Sequence, residues 1–311
     1  MNVFITSLES VAVLLGIGLI GFWIIRKKIV PEQALGTLSP VALEIALPSL
    51  IFVNIIEGFS PADYPQWWLL PVYWLIFTGI AAGLTAVCMF VSHKETRKEF
   101  AMSLFYQNGI FFPLAILAGL YPTEPSYLVS LFLFTLFYPA FFFNTYQLFS
   151  KRKSSQIHLR KIIHPVLIIT CIAVIIRYAQ VQSYIPSVVI EILRLLGGMT
   201  VPLIMLILGG NIYLDFKKKG TVYSTEIMKF VMIKNIVFPL VFLAIIISLK
   251  PEKIIALLLL LQSVVPPVTA VPLMVERIGG NRAVVNQFVV ASFLSSLVTI
   301  PVMITLFSLY Y

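Results

Sequence analysis

Two stretches of this 311-residue chain place side-chain amides beside prolines inside otherwise apolar runs, and they are where the sequence could do chemistry. The first, FYQNGIFFPLAI at 105–116, holds Gln107, Asn108, Gly109 and Pro113; the second, LLQSVVPPVTAVP at 260–272, holds Gln262, Ser263, Pro266, Pro267 and Pro272. Proline inside a helix removes a backbone donor and clashes with the preceding turn, so Pro266-Pro267 with Pro272 predicts an interrupted helix. Freed amides and the neutral donors of Asn108 and Gln262 can replace the hydrogen bonds that a carboxylate gives up on leaving water. Half-helix N-termini favour the same anion. The chemistry expected is therefore reversible anion binding rather than bond making.

Catalytic constellations do not appear. His93, His158 and His164 lie in or beside polar loops, and there is no HExxH, paired aspartate or cysteine cluster. Cys88 and Cys171 fall far apart within apolar runs, which predicts two buried small hydrophobes and neither a disulfide nor a metal framework. No metal, cofactor or catalytic residue is expected.

The elements that must position the two stretches follow from composition. Hydrophobic residues make up 59% of the chain and charged residues only 11%, where a soluble domain is about a quarter charged. Apolar runs long enough to cross roughly 30 Å of hydrocarbon recur along the whole sequence, and an α-helix is the open-ended element that satisfies its own backbone there. Ten spans are predicted, near 4–25, 38–58, 67–91, 101–120, 127–149, 162–180, 187–214, 228–249, 254–275 and 284–309. The first has no basic region before it and no small-residue cleavage site after it, so it reads as a retained span. The fold class expected is an all-α polytopic membrane protein with no sizeable soluble domain.

The net charge of +9 reflects topology rather than a nucleic-acid partner. Sixteen basic residues fall in loops on one side: Arg26–Lys28, Lys94, Arg97, Lys98, Lys151–Lys153, Arg160, Lys161, Lys217–Lys219, Arg277 and Arg282. The opposite loops hold Lys250 and Lys253 only. The positive-inside rule puts the basic side in the cytoplasm of a multi-pass cell-membrane protein and both termini outside. The loop 150–161 divides the chain into five spans (1–149) and five spans (162–311). Five being odd, the second set enters the membrane from the other side, the inverted repeat of many secondary transporters. LEIALPSLIF around Pro48 is echoed by GGMTVPLIMLILGG around Pro202, and the interval Pro48–Gln107 is 59 residues where Pro202–Gln262 is 60.

Glu44 lies about one turn before Pro48 inside the second span, where a carboxylate is expensive and suggests function. Proton coupling and a structural hydrogen bond are its two readings. Lys234 beside Asn235 either snorkels to the headgroups or biases an internal cavity toward anions, and the polar, broken face continued by Asn235 and Pro239 favours the internal role. Glu191 and Arg194, spaced i,i+3, read as an interfacial ion pair.

At these residues the chain resembles the auxin efflux carrier family, the PIN-like group that includes bacterial and archaeal carriers. The resemblance covers essentially the whole chain: IALPSLIF at 45–52, PLIMLILGGNI at 202–212, Lys234 five before Pro239, QSVVPP at 262–267 and VVASFLSSLVTIP at 289–301. It implies a ten-helix fold of two inverted five-helix repeats, similar to NhaA-type antiporters and bile acid symporters. It also implies that the fourth and ninth helices cross near the midplane and that small organic anions, such as auxin-like or dicarboxylic acids, are exported. The family's fourth-helix asparagine falls on Asn108, here five residues before Pro113 rather than seven. The expected partners are an organic anion, H+ or Na+ as coupling ion, the bilayer, and a second copy of the chain as a homodimer. Three rivals remain open from sequence: a sodium-coupled organic acid symporter of the bile acid type, a channel, and an intramembrane enzyme.

The charge asymmetry makes a topological prediction. A cysteine placed at Ser154 should resist a membrane-impermeant thiol reagent in intact cells and react once the membrane is permeabilised; labelling from outside would invert the assignment.

Overall fold

A computed structural model describes residues 3–62, 64–149, 165–217 and 222–311. The expected cytoplasmic loop 150–161, His158, His164, Lys218 and Lys219 lie outside the described residues. Within the described residues every element is helical, apart from one isolated antiparallel bridge between Gln107 and Pro267.

The first half comprises α1 (Val3–Arg26), α2 (Ala34–Pro40), α3 (Leu47–Gly58), α4 (Leu70–Cys88), α5 (Arg97–Phe105), α6 (Phe111–Leu120), α7 (Pro125–Phe134) and α8 (Tyr138–Thr145). The second comprises α9 (Pro165–Tyr178), α10 (Ser187–Gly198), α11 (Thr200–Lys217), α12 (Ser224–Met232), α13 (Phe238–Leu249), α14 (Lys253–Val264), α15 (Val271–Arg277) and α16 (Arg282–Ser308). Several join end to end. Seven continuous stretches of 24 to 28 residues are long and apolar enough to cross a membrane, among them Ala34–Gly58, Ser187–Leu214 and Ser224–Leu249. α6, α9 and α14 are shorter apolar helices, at three of the predicted span positions. Large hydrophobic side chains such as Leu19, Leu75, Val87, Ile175 and Leu195 are exposed on the helix surfaces. Such a coat is costly in water and favourable in lipid.

Two of the long helices are widened by a π-helical turn, Val41–Ala46 between α2 and α3 and Ile233–Val237 between α12 and α13. Each sits immediately before a helix with proline in its first turn, Pro48 or Pro239. The ring of a proline collides with the carbonyl four residues back. Here the residue before the proline bonds five back instead, Leu47 N–H to Ala42 O and Phe238 N–H to Ile233 O, which opens the turn to admit the ring. Glu44 lies in the first widened turn, Lys234 and Asn235 in the second.

The halves interleave. α1 lies along α11, and α3 packs against α9 and α10, while α14 packs against α13 and α16 and also touches α4 and α7. Glycine sets the α1–α11 seam: a Cβ on Gly209 would lie 1.8 Å from Gly18 O, and one on Gly21 2.2 Å from Leu206 O. Without a hydrophobic force between helices in lipid, such close backbone approach is what small residues provide. Elsewhere Phe100 of α5, Phe230 of α12 and Phe288 of α16 form a ring cluster with centroids 4.6 to 5.6 Å apart. Cys88 is half-buried, but Cys171 is exposed rather than buried, because it faces outward on a surface helix.

Gly209→Ala should lower the melting temperature of the purified protein by roughly 5 °C or more, the range that overpacking a close seam implies. Gly79→Ala, where an added Cβ meets nothing within 4 Å, should leave it unchanged.

Candidate functional site

Both amide-proline stretches are breaks. The first separates α5 from α6 at 106–110, and the second separates α14 from α15 at 265–270. In the first, Tyr106 leaves the helix in an extended conformation after its N–H bonds Met102 O. In the second, Pro266 and Pro267 have no N–H with which to continue α14. Backbone groups freed in an apolar interior must find partners. The two breaks partner one another: Asn108 N–H donates to Pro266 O at 2.8 Å, and Val268 N–H donates to Tyr106 O at 2.9 Å. The one β-bridge among the described residues is this reciprocal pair.

Side chains complete the junction. The Gln262 amide Nε2 donates to Gly109 O at 2.7 Å, the Tyr138 hydroxyl donates to Gln107 O at 2.5 Å, and Lys234 Nζ donates to Ser263 O at 3.2 Å. Ser263 Oγ turns back to Leu260 O at 2.7 Å. A Cβ at Gly109 would stand 2.2 Å from Gln262 Oε1, so glycine is what lets the glutamine lie across the break. Gln107, Asn108, Gln262, Ser263, Pro266 and Pro267 are all buried, as is Pro113 in the first turn of α6.

Among the described residues, three polar atoms at the junction have no hydrogen-bond partner: Oδ1 and Nδ2 of Asn108, and Oε1 of Gln262. Asn108 is only 1% exposed. Leaving such an atom buried and unpaired costs about 1–3 kcal/mol, and native structures rarely leave one without reason. The Asn108 side chain thus offers a donor and an acceptor at the point where the helices are broken. Gln262, by contrast, has one of the two Nε2 hydrogens engaged with Gly109 O and an unpartnered Oε1 acceptor. Of the backbone amides at the breaks, those of Asn108 and Val268 are used between the segments.

The supporting residues divide. Lys234 is 1% exposed and lies over the Phe238 ring at 5.4 Å, pointing inward rather than to the headgroups. Asn235 ties the same widened turn to α16, with Nδ2 donating to Ser292 O at 3.1 Å and Oδ1 accepting from Ser292 Oγ at 2.7 Å. Pro48 is buried. Glu44 is exposed on the outside of its turn and makes no hydrogen bond among the described residues; nothing joins it to the junction. Glu191 does pair with Arg194, which also bonds Glu57 at 2.5 Å.

Sequence reasoning passed over three sets of residues. Tyr138 is one: a tyrosine beside Pro139 in an apolar run carries no pattern that marks its hydroxyl. The others are two carboxylates at the basic-loop end. Glu226 is buried and accepts from Ser92 Oγ at 2.5 Å, Thr96 Oγ1 at 3.0 Å, His93 N–H at 3.3 Å and Lys229 Nζ at 2.8 Å. Glu99, also buried, accepts from Asn281 N–H at 2.8 Å. They bind the starts of α5, α12 and α16 to one another. The available signal was two acidic residues just outside predicted span starts, in loops dominated by basic ones.

At the opposite end a cavity of about 260 Å³ is lined by Tyr64, Trp67, Tyr73, Ser130, Leu133 and Glu252, among others. About one turn deeper, Trp74 packs edge-on against Tyr138 with centroids 6.1 Å apart. Both rings are buried, and the Tyr138 hydroxyl is the one that reaches Gln107 O.

An all-helical apolar chain with two mutually bonded helix breaks and an unpartnered buried amide is built as a multi-pass membrane transporter. The sequence matches the membrane transport protein family over residues 6–304, and the chain belongs to that family, the family of the auxin efflux carriers. Its members are transporters rather than enzymes. No curated protein matches the chain significantly.

The Gly109–Gln262 contact should be visible as coupling. Gly109→Ala should destabilise the protein, and Gln262→Ala should remove the clash along with the hydrogen bond. The double variant should then be more stable than the two single losses added, by about 0.5–3 kcal/mol. Additive losses in thermal or denaturant unfolding would separate the two residues.

Proposed function

We propose that the protein is a secondary active carrier, an exporter of small organic anions, with ten spans arranged as two inverted five-helix repeats. In this reading α5–α6 and α14–α15 are the fourth and ninth spans, and alternating access turns about their crossing. The observation that carries it is the Asn108 amide: buried, unpartnered, and held at the meeting point of two broken helices. A carboxylate entering from water must recover its hydrogen bonds or incur several kcal/mol of desolvation. Asn108 Nδ2 supplies such a donor without a full charge that would hold the anion too tightly. The N-terminus of α6 adds a favourable dipole end, and Trp74 with Tyr138 acts as the barrier on the side of the 260 Å³ cavity. In the bile-acid-type alternative the same fold is driven by Na+.

A screen of labelled organic acids in proteoliposomes, with and without proton and sodium gradients, identifies the substrate and tests the reading. With that acid, Asn108→Ala should weaken binding about ten- to a hundredfold, since a hydrogen bond to a charged group is worth roughly 1.5–3 kcal/mol. Asn108→Asp should weaken it further by setting a like charge against the anion. Calorimetry that finds both variants binding as tightly as the wild type removes Asn108 from the site.

A further inference from the structure

A second cavity, of about 300 Å³, lies at the end of the bundle opposite the basic loops, and no residue of the junction lines it. Its walls come from the start of α1, the end of α6, the first turns of α14 and the end of α16. Leu120, Leu257, Ile304 and Phe307 make those walls apolar. Tyr311 stacks on Phe307 with ring centroids 4.8 Å apart, and its hydroxyl donates to Pro251 O at 3.0 Å, which ties the end of α16 to the turn before α14. Among the described residues that line the cavity, Lys253 is the one charged side chain.

That amine is unspent. No ion pair or hydrogen bond engages Lys253 among the described residues; the bridges of the chain join other groups. The hydroxyls of Ser308 and Tyr311 in the same lining are given to carbonyls, Thr305 O at 2.8 Å and Pro251 O. Lys253 is also the first residue of α14, so the positive end of that helix dipole lies beside it. The neighbouring face of the helix is the reverse. Glu252 and Ile255, three apart, line the 260 Å³ cavity with Tyr64, Trp67 and Tyr73, whereas Lys253 and Leu257, four apart, line this one. α14 thus parts a cavity with a carboxylate from a cavity with an amine. An amine at the rim of apolar walls suits a solute with one negative charge on an apolar body. A second carboxylate would lie against hydrocarbon with no partner, and desolvating it is costly.

We propose that this cavity is a separate binding site for an organic monocarboxylate, with the carboxylate paired to Lys253 and the apolar body on Leu257, Ile304 and Phe307. α6 and α14 run from its walls to the two breaks, about 14 Å away at 1.5 Å per residue. The site is therefore distinct from the junction and stands at the far end of the two half-helices that meet it. That an anion passing through the junction halts here rests on the carrier reading given above; the binding itself does not.

The test uses full-length protein carrying Cys88→Ser and Cys171→Ser, purified in detergent, with one cysteine placed at Ser308 in this cavity or at Ser126 in the Glu252 cavity. Each thiol is labelled at low salt with an anionic and a cationic methanethiosulfonate. The ratio of anionic to cationic rate should be about fivefold higher at position 308 than at 126, as one charge a few ångströms away implies, and Lys253→Glu should abolish the difference. Benzoate at about 30 mM should slow labelling at 308 by a neutral reagent about fivefold, as filling of a millimolar site implies. Benzamide, and succinate at equal ionic strength, should not. Lys253→Ala should lose the protection and Lys253→Arg keep it. Lys253 is exposed, and Lys253→Gln gives the same comparison should the alanine variant fail to fold. Equal charge ratios at the two thiols, or protection by benzamide as strong as by benzoate, overturns the proposal. So does protection by phosphatidylglycerol in place of benzoate, which would make this a lipid headgroup site. Absence of organic acid transport in proteoliposomes would overturn the carrier reading and leave labelling and protection to decide this one.

Discussion

A backbone amide or carbonyl inside hydrocarbon must be bonded to something, and this chain interrupts two helices where that requirement is strictest. The reciprocal bonds Asn108 N–H to Pro266 O and Val268 N–H to Tyr106 O are what make the interruptions tolerable. Each break is the other's solvent. Neither segment could hold its conformation alone, because each would leave carbonyls and amides unpaired at a cost of a few kcal/mol. Much of the surrounding structure holds the two segments at bonding distance. The ring cluster Phe100–Phe230–Phe288 fixes α5, the Asn235–Ser292 pair fixes the turn that carries Lys234, and Gln262 spans the gap to Gly109.

How much of this was legible in the sequence depended on the range of the interaction. Hydropathy and proline placement are local, and they located the long helices and both breaks: Trp67–Val91 and Ser187–Leu214 lie where the apolar runs end, and the helices stop within a few residues of Asn108 and Pro266. The buried unpartnered Asn108 was expected as a candidate because amides are rare beside prolines in an apolar run. The partnerships were not legible. Nothing in the residues near Tyr138 says that its hydroxyl reaches Gln107 O, and nothing near Glu226 says that Ser92, His93 and Thr96 converge on it from 130 residues or more away. Glu44 meets the same limit. Its depth along the chain could be counted, but which way it faces depends on the phase of a turn that departs from 3.6 residues, and the widened turn leaves it exposed.

Packing and chemistry are divided between different parts of the molecule. The α1–α11 seam is glycine against backbone, with Gly209 and Gly21 tolerating no added atom, and it holds no candidate site residue. The polar, interrupted helices lie among α4, α7, α13 and α16, with α6 also packed along α1 away from the seam's glycines. Close-packed small residues give a seam its rigidity through dispersion contacts alone, whereas the junction depends on directional bonds with few alternatives. A chain built in this way keeps its adaptable chemistry apart from the surface that resists deformation.

The widened turns carry one further implication. A π-helical turn is an extra residue lodged in a helix, and such a lodged residue can in principle creep along its helix by passing hydrogen bonds from one neighbour to the next, shifting the segment lengthwise by about 1.5 Å per step. Proline blocks that creep, because it has no hydrogen to hand on. Pro48 and Pro239 stand directly beyond the two turns and act as stops on that side. The azimuth of Lys234 is in this way set by a residue five positions away: were the stop absent, the lodged residue would migrate, the helix would rotate by about 100° per step, and the amine would turn away from Ser263.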